Sequence, residues 1–370
     1  FREQRVEALI ADGRCVATVV PDLPQLLYRL RISDRRFTDH QSANHWSSDH
    51  EAGIESAHET SAMLAATLAE LDRQHIAAIE INDLVSFDDP LAVVAWATAH
   101  AQRGVPLRMY LHDFHAACPS WTLIDDRERY CGVPALDVCA RCLPQLDVPF
   151  LALLPPTDIP RWRAAWLQLM QLASEIIAFS PASVRILLRA FPQLDPARIS
   201  VQPHAVEYLD ATPLQPDLTL PVRVGVVGNI SRHKGSQIVW EMAELISARA
   251  LPIQIVVIGT IEDQVHSDIV RVTGPFRAES LPTLLAEHRV GICLLPSICP
   301  ETFSYVTAEL MQLQMPLAVF DLGAPAERVI DYPSGRVIAD TTAQCALETI
   351  LDMHCSLRRD ATPSPVSHDV

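Results

Sequence analysis

Short apolar runs rich in Val and Ile alternate with longer segments of helical periodicity along most of the 370 residues, and that alternation admits few folds. Strands that are apolar throughout are buried on both faces, so they call for parallel sheets covered by helices. The alternation occurs twice. The first series places strands at 15–20, 76–81, 107–111, 175–179 and 199–202, with helices at 62–73, 90–104, about 160–173 and from 181 onward. Asp88-Asp89-Pro90 and Ser180-Pro181 supply helix starts, a capping side chain followed by proline at the first helical position. Residues 1–13 read as the end of an amphipathic helix closed by Gly13, and the polar stretch 33–60 as a long loop. The second series has strands at 222–227, 253–258, 269–272, 290–295 and 317–320, with helices at about 236–249, 279–288 and 302–314. The proline-rich stretch 210–221, DATPLQPDLTLP, separates the two and reads as a linker. The expected fold is α/β: two Rossmann-like domains, 1–209 and 222–353, facing across a cleft, with a disordered tail at 354–370.

Composition narrows the function classes. At 49% hydrophobic residues each half can build a core, while a net charge of −16 opposes nucleic-acid binding. An anionic ligand must therefore be held by a local site. No apolar run has the length of a transmembrane helix and no signal peptide is visible, so the chain is expected in the cytoplasm. It begins at Phe1, which reads as a fragment of a longer protein whose other domains would be partners.

The stretch 294–309, LLPSICPETFSYVTAE, runs from a buried strand through a proline-rich turn into a helix. Free N–H groups near Phe303, Ser304 and Tyr305 would face an anion there. Glu301 and Glu309 lie eight residues apart, a helical rise of roughly 12 Å, about the span of an extended nucleoside diphosphate sugar. The loop 228–235, GNISRHKG, carries Gly228, Asn229, Arg232 and Lys234 between a strand and a helix. It is neither a dinucleotide fingerprint nor a P-loop. It offers N–H donors and cations suited to a diphosphate, or it is an ordinary solvated loop. His112 stands at the end of the strand 107–111.

Four of the nine cysteines cluster as Cys118, Cys131, Cys139 and Cys142. The closing CxxC is a typical half of a tetrahedral zinc site, which leads the alternatives of buried reduced thiols or disulfides. Four cysteines leave no open coordination position, so such a metal would be structural; His115 is an alternative ligand. Trp162, Trp166 and Leu169, with Arg161 and Arg163 beside them, would suit a membrane surface but are expected in the core. Asp125, Asp126 and Glu128 read as a charged loop and not as a catalytic base.

GNISRHKG, PETFSYVTAE and the following FDLGAPAER together resemble the nucleotide-sugar half of GT-B glycosyltransferases of family 4. The resemblance covers 222–331 well and the first domain more loosely, through HDFH, FSPASV and PHAVE. The cysteine-rich stretch is similar to that of some bacterial surface-glycan enzymes of this type. The resemblance implies a retaining glycosyltransferase that moves a hexose from a nucleoside diphosphate sugar to a glycan or lipid-linked glycan acceptor, in polysaccharide biosynthesis, peripheral to the inner face of the cell membrane. It implies that Glu301 contacts the transferred sugar, Glu309 the ribose and Lys234 the diphosphate, and that His112 lines the donor pocket without any catalytic metal. Two departures stand out. Asn229 occupies the place of the family's loop arginine, with Arg232 as a nearby substitute, and the family's first strand and glycine-rich loop would precede Phe1. A nucleotide-sugar epimerase, or a non-catalytic glycan- or partner-binding module, are the alternatives.

Overall fold

The computed structural model describes residues 16–22, 27–33, 58–148, 151, 154, 158–210, 212–263 and 267–361. In chain order the first elements are β1 (Val16–Asp22), β2 (Leu27–Ser33), β3 (His58–Ala62), α1 (Leu64–Asp72), β4 (Ile79–Ile81), α2 (Pro90–Gln102), β5 (Leu107–Tyr110) and α3 (Leu136–Cys142). There follow α4 (Ile159–Leu172), β6 (Glu175–Ala178), α5 (Pro181–Ala190), β7 (Ile199–Val201), β8 (Val222–Ile230), α6 (Ser236–Ala248) and β9 (Ile253–Ile261). The chain continues through β10 (Val270–Val272), α7 (Leu281–Glu287), β11 (Ile292–Leu295), α8 (Tyr305–Gln312), β12 (Leu317–Phe320), α9 (Gly323–Val329), β13 (Gly335–Ile338) and α10 (Ala343–Ala361). These elements divide into two units, residues 1–110 with 147–176, and residues 111–146 with 177–370.

In the first unit β1, β2 and β3 form an antiparallel sheet in that order, Val16 facing Ser33 and Tyr28 facing Ala62. Strand β3 enters the stretch read as loop at 33–60; HETSA has little apolar alternation, and pairing with β2 makes it a strand. The expected helix at 1–13 and residues 34–57 lie outside the described residues. Strands β4 and β5 pair in parallel, and Arg108 on β5 bridges Glu80 and Glu175 at 3.1 Å each. Asp89 caps α2 by accepting from the Ala92 N–H, as its Asp-Pro signature predicts. On α4, Trp162, Trp166 and Leu169 are 1%, 3% and 0% exposed, which makes that stripe core and not a membrane face.

The second unit holds a six-stranded, all-parallel sheet of order β10-β9-β8-β11-β12-β13. Val224, Val226, Ile255 and Val257 pack on one face with α6 and α10. Val227, Val256, Ile258 and Leu295 pack on the other with α7, α8 and α9. Both faces are covered, which explains the continuous apolar strands. From β8 the chain builds the sheet outward through β9 and β10, then returns to β8 with β11 and builds the other way. The carboxyl ends of β8 and β11 therefore form the topological switch point, where open α/β sheets bind ligands.

One stretch differs from expectation. Helix α10 runs on to Ala361, past the expected domain end at 353, because Met353 and His354 remain buried and His354 Nε2 bonds the Leu218 carbonyl at 2.9 Å. The expected disorder at 354–370 is thereby corrected for 354–361, and 362–370 lie outside the described residues. The stretch 210–221 is pinned to the second unit, with Arg289 Nε 2.6 Å from Asp217 and Leu214 N–H on the Leu313 carbonyl at 2.9 Å.

Strands β8 and β9 approach closely where they carry glycine opposite glycine. Gly228 and Gly259 are register partners with φ of 122° and 130°, and a Cβ at Gly259 would lie 2.0 Å from the Gly228 carbonyl oxygen. Gly259→Ala is expected to destabilise the protein by about 2–3 kcal/mol, the combined cost of left-handed strain and overpacking. Urea denaturation checks this, and an unchanged midpoint would refute the close-approach account.

Candidate active site

The two turns at the switch point touch. After β8, Ser231 begins a single 3-10 turn, Arg232–Lys234, that ends at Gly235 with φ of 87°. A Cβ at Gly235 would lie 2.0 Å from the Pro296 carbonyl oxygen, so only glycine lets this loop lie against the turn that follows β11. The Ile298 N–H donates to the His233 carbonyl at 3.1 Å and closes the same contact. In the second turn Ser304 caps α8, accepting from the Thr307 N–H, and has φ of 68°. A non-glycine residue in that region stores about 1–3 kcal/mol of strain and often marks a functional turn. Gly323 at the start of α9 packs on the Glu301 backbone, whose carbonyl accepts from the Ala324 N–H at 2.9 Å.

This packing brings Lys234 Nζ within 2.9 Å of Glu301 Oε1, to which the Ser297 hydroxyl also donates. Burial opposes the charge on Glu301, but Lys234, Ser297 and Ser304 outweigh it and hold the carboxyl below its usual range. Burial likewise opposes the Lys234 charge, and the Glu301 carboxylate outweighs it. The ion pair is thus the charged floor of a cavity of about 400 Å³, within the ordinary range for a small-molecule site.

One wall of the cavity is aromatic. The His204 ring stacks on Phe179 at 4.0 Å and on Tyr305 at 5.2 Å, and lies parallel to His112 at 5.9 Å. Phe303 meets His204 edge-on at 4.9 Å and carries Arg328 over its face at 4.3 Å. Burial pushes the pKa of both His112 and His204 down to about 4, so each ring is neutral near pH 7. The His112 carbonyl accepts from the Thr302 hydroxyl at 2.9 Å, which ties this wall to the Glu301 turn.

A further part of the lining comes from the cysteine-rich segment. Trp121, with φ of 51°, lines the cavity and meets His233 edge-on at 4.9 Å. Glu128 of the same segment pairs with Arg232 at 2.8 Å, and Glu262 accepts from the Arg232 N–H, also at 2.8 Å.

Residues 221–354 match the family described as glycosyl transferases group 1. The fold is that of solved GT-B proteins: HepE from Anabaena, in complex with UDP, is 15% identical over 80% of this chain and 74% of its own, with a TM-score of 0.54. Sucrose-phosphate synthase from Thermosynechococcus elongatus is 14% identical over 79% of this chain and 69% of its own, with a TM-score of 0.53. TarM of S. aureus is 13% identical over 89% of this chain and 57% of its own, with a TM-score of 0.54. The chain has the GT-B fold, and its match to the group 1 glycosyl transferases is confined to residues 221–354. No curated protein is significantly similar to it in sequence. Among the described residues no helix is long and apolar enough to cross a membrane.

The cavity gathers His112, Gly228, Asn229, Lys234 and Glu301, with Phe303, Ser304 and Tyr305 beside them. Asn229 is engaged, its Oδ1 accepting from the Thr260 hydroxyl at 2.7 Å. Two expected residues do not line the cavity. Arg232 is turned to Glu128, and Glu309 lies one helical turn beyond Tyr305, accepting from the Tyr208 hydroxyl. Ser297, His204, His233 and Trp121 belong to the site without having been read as site residues. Of these, Ser297 was within reach, four residues before Glu301 in the same turn; Trp121 lies in an irregular stretch with no periodic signal.

The four clustered cysteines are free thiols around α3, on which Cys139 and Cys142 stand one turn apart. Burial pushes the Cys131 thiol up to about 11, and Cys118, Cys139 and Cys142 are near enough to add to that shift. Among the described residues no three His, Cys, Asp or Glu side chains are set as a metal-binding group. His115 is buried and its pKa is down at about 3. Asp125 caps its own loop, accepting from the Arg127 and Arg129 N–H groups at 2.9 and 3.0 Å, as expected of a charged turn.

The Lys234–Glu301 pair gives stability a defined pH dependence. With Lys234 present the folded Glu301 pKa is depressed, so its contribution holds above the unfolded carboxyl pKa and is lost as pH falls through the folded value. Lys234→Met removes the main opposing charge, and burial then raises the Glu301 pKa above its unfolded value. The sign reverses: the variant is expected to be closer to wild-type stability at about pH 5 than at about pH 7.5. Urea midpoints at the two pH values check this, and an equal loss at both would refute it.

Proposed function

We propose that this chain is a retaining glycosyltransferase that moves a hexose from a nucleoside diphosphate sugar to a glycan acceptor. The observation that carries the reading is the partly buried Lys234–Glu301 pair in a cavity at the switch point, where loop N–H groups and an α8 N-terminus converge. HepE solved with UDP-glucose supports a uridine diphosphate hexose as the first donor to test. Lys234 meets the diphosphate, and Arg232 reaches it by leaving Glu128. Glu301 accepts from hydroxyls of the transferred sugar, and Glu309 from those of the ribose. Neutral His112 lines the sugar end, able to accept from one hydroxyl while donating to another group.

In the reaction the bond from the sugar's anomeric carbon to the leaving phosphate breaks, and a bond to the acceptor oxygen forms on the same face. The acceptor's proton passes to the leaving phosphate oxygen. Lys234 stabilises the charge that develops there. No covalent intermediate on the protein is required. Cys299 lines the cavity, but burial pushes its thiol up to about 12, so it is not a nucleophile. The acceptor is assigned as a glycan or a lipid-linked glycan, with the protein working from the cytoplasmic face of the membrane.

We assign Cys118, Cys131, Cys139 and Cys142 as ligands of a structural zinc. The thiols already raise one another's cost of ionising, and a divalent cation would reverse that cost. The metal would brace the segment that carries Trp121 and Glu128. Metal analysis of the purified protein is expected to find about one zinc per chain. A metal-free, fully folded protein would remove the assignment.

The donor follows from thermal-shift screening of UDP-, GDP-, ADP- and dTDP-sugars. At saturating donor, Glu301→Gln is expected to reduce transfer by about 10²–10³-fold while the protein still melts cooperatively. Undiminished transfer would sink the donor reading, and hydrolysis or epimerisation without transfer would favour the epimerase alternative.

A further inference from the structure

Tyr208 lies in the connection between β7 and β8, far in sequence from the turns that build the cavity. Its hydroxyl nevertheless donates to Oε1 of Glu309, from 101 residues away. Glu309 is 5% exposed on α8, one turn beyond the cavity-lining Tyr305 and on the same helical face, while Tyr208 is 40% exposed. The carboxylate is therefore withdrawn from solvent, with the more exposed tyrosine held against it.

Burial pushes the Glu309 pKa up, and the Tyr208 hydrogen bond works against that rise. Burial and the neighbouring carboxylate push the Tyr208 pKa up as well, so the phenol keeps its proton and acts as a donor. Tyr305 and Glu279 are the other titratable groups that act on Tyr208. An ionised carboxylate offers about four lone-pair directions, so one phenol leaves room for two further donors. A vicinal diol supplies two O–H donors, and only the ionised acid accepts both.

We propose that Tyr208 is a positioning residue for nucleotide recognition: its hydroxyl fixes the rotamer of Glu309 so that the carboxylate receives both hydroxyls of a ribose. This rests on the donor reading above. Tyr208 does not touch the reacting atoms. It sets how sharply the protein distinguishes a ribonucleotide from its deoxy counterpart.

The test is calorimetric titration of the full chain with UDP, GDP and ADP, each beside its 2′- and 3′-deoxy counterparts, for wild type, Tyr208→Phe and Glu309→Gln. The wild type should prefer one ribonucleoside diphosphate over both deoxy forms. Tyr208→Phe keeps the ring, and its unfolding midpoint should stay close to wild type. It should bind the ribonucleotide about tenfold more weakly, with a smaller loss for the deoxy forms, so that discrimination narrows; a merely structural role would weaken all alike. Glu309→Gln should abolish discrimination. If Glu309→Gln does so while Tyr208→Phe binds like wild type, or more tightly, the role of Tyr208 is overturned and the ribose reading stands. Wild-type behaviour of Glu309→Gln, or no binding of any nucleotide, overturns the ribose reading itself and the inference with it.

Discussion

Everything at the centre of this molecule depends on Lys234 and Glu301 being held 2.9 Å apart at the edge of the sheet. Glu301 is the more deeply buried of the two, and without Lys234 its charge would be left largely unpaired away from water. Together they remain ionised, and Ser297 and Ser304 supply the hydrogen bonds that the carboxylate would otherwise lose. A well-packed apolar pair in the same volume would serve stability at least as well. The backbone around the pair points the same way: Gly235 at φ of 87°, which glycine adopts freely, and Ser304 at a strained φ of 68° shape the two turns that bring the charges together. The sheet order makes this possible. Only β8 and β11 are neighbours whose chains leave in opposite directions, so only there do two βα turns face one another with nothing between.

The cysteine-rich segment follows from the same constraint. The loop after β8 is a single short turn and cannot hold its own outer face. Trp121 packs against His233, and Glu128 takes the charge of Arg232, so the segment acts as the outer brace of that loop. Its backbone is itself unusual, with Trp121, Leu123, Glu128 and Val133 all at positive φ. Such a segment lacks the ladder hydrogen bonds of a strand or helix beyond the single bridge Ile124 to Tyr130 and the short α3.

How much of this was legible in the sequence depended on sequence distance. The second sheet was readable nearly strand by strand, because buried parallel strands are continuous apolar runs and β12 fell at its expected residues. Lys234 and Glu301 were readable because each stands in a turn whose glycine, proline and flanking apolar residues announce it. Helix α9 and strand β13 were not, since GAPAERV carries a glycine and a proline and GRVI spans four residues. The last turns of α10 read as tail because their polar face outweighs Met353 and His354. Glu128, Trp121 and Tyr208 left no local mark at all. Each acts across a long stretch of chain from an irregular segment, and periodicity carries no information about such contacts.

Charge explains why the site is built from pairs. The chain carries a net charge of −16, so a bare cation near its surface is surrounded by acids competing for it. Lys234 is paired with Glu301, Arg232 with Glu128, and Arg328 lies over the Phe303 ring. His112, His204 and His233 add no positive charge, since burial lowers the pKa of all three. On the proposed donor reading, an entering diphosphate would meet cations that already have partners, and binding it would be an exchange in which Glu301 and Glu128 must find new donors. For Glu301 the hydroxyls of a sugar serve, and they lie at the correct end of a nucleoside diphosphate sugar to do so. An anion that brings no hydroxyls would strip Lys234 from a buried carboxylate and leave it unsatisfied. On that reading, selectivity for a diphosphate that carries a sugar would follow from the pairing itself, before any side chain recognises which sugar it is.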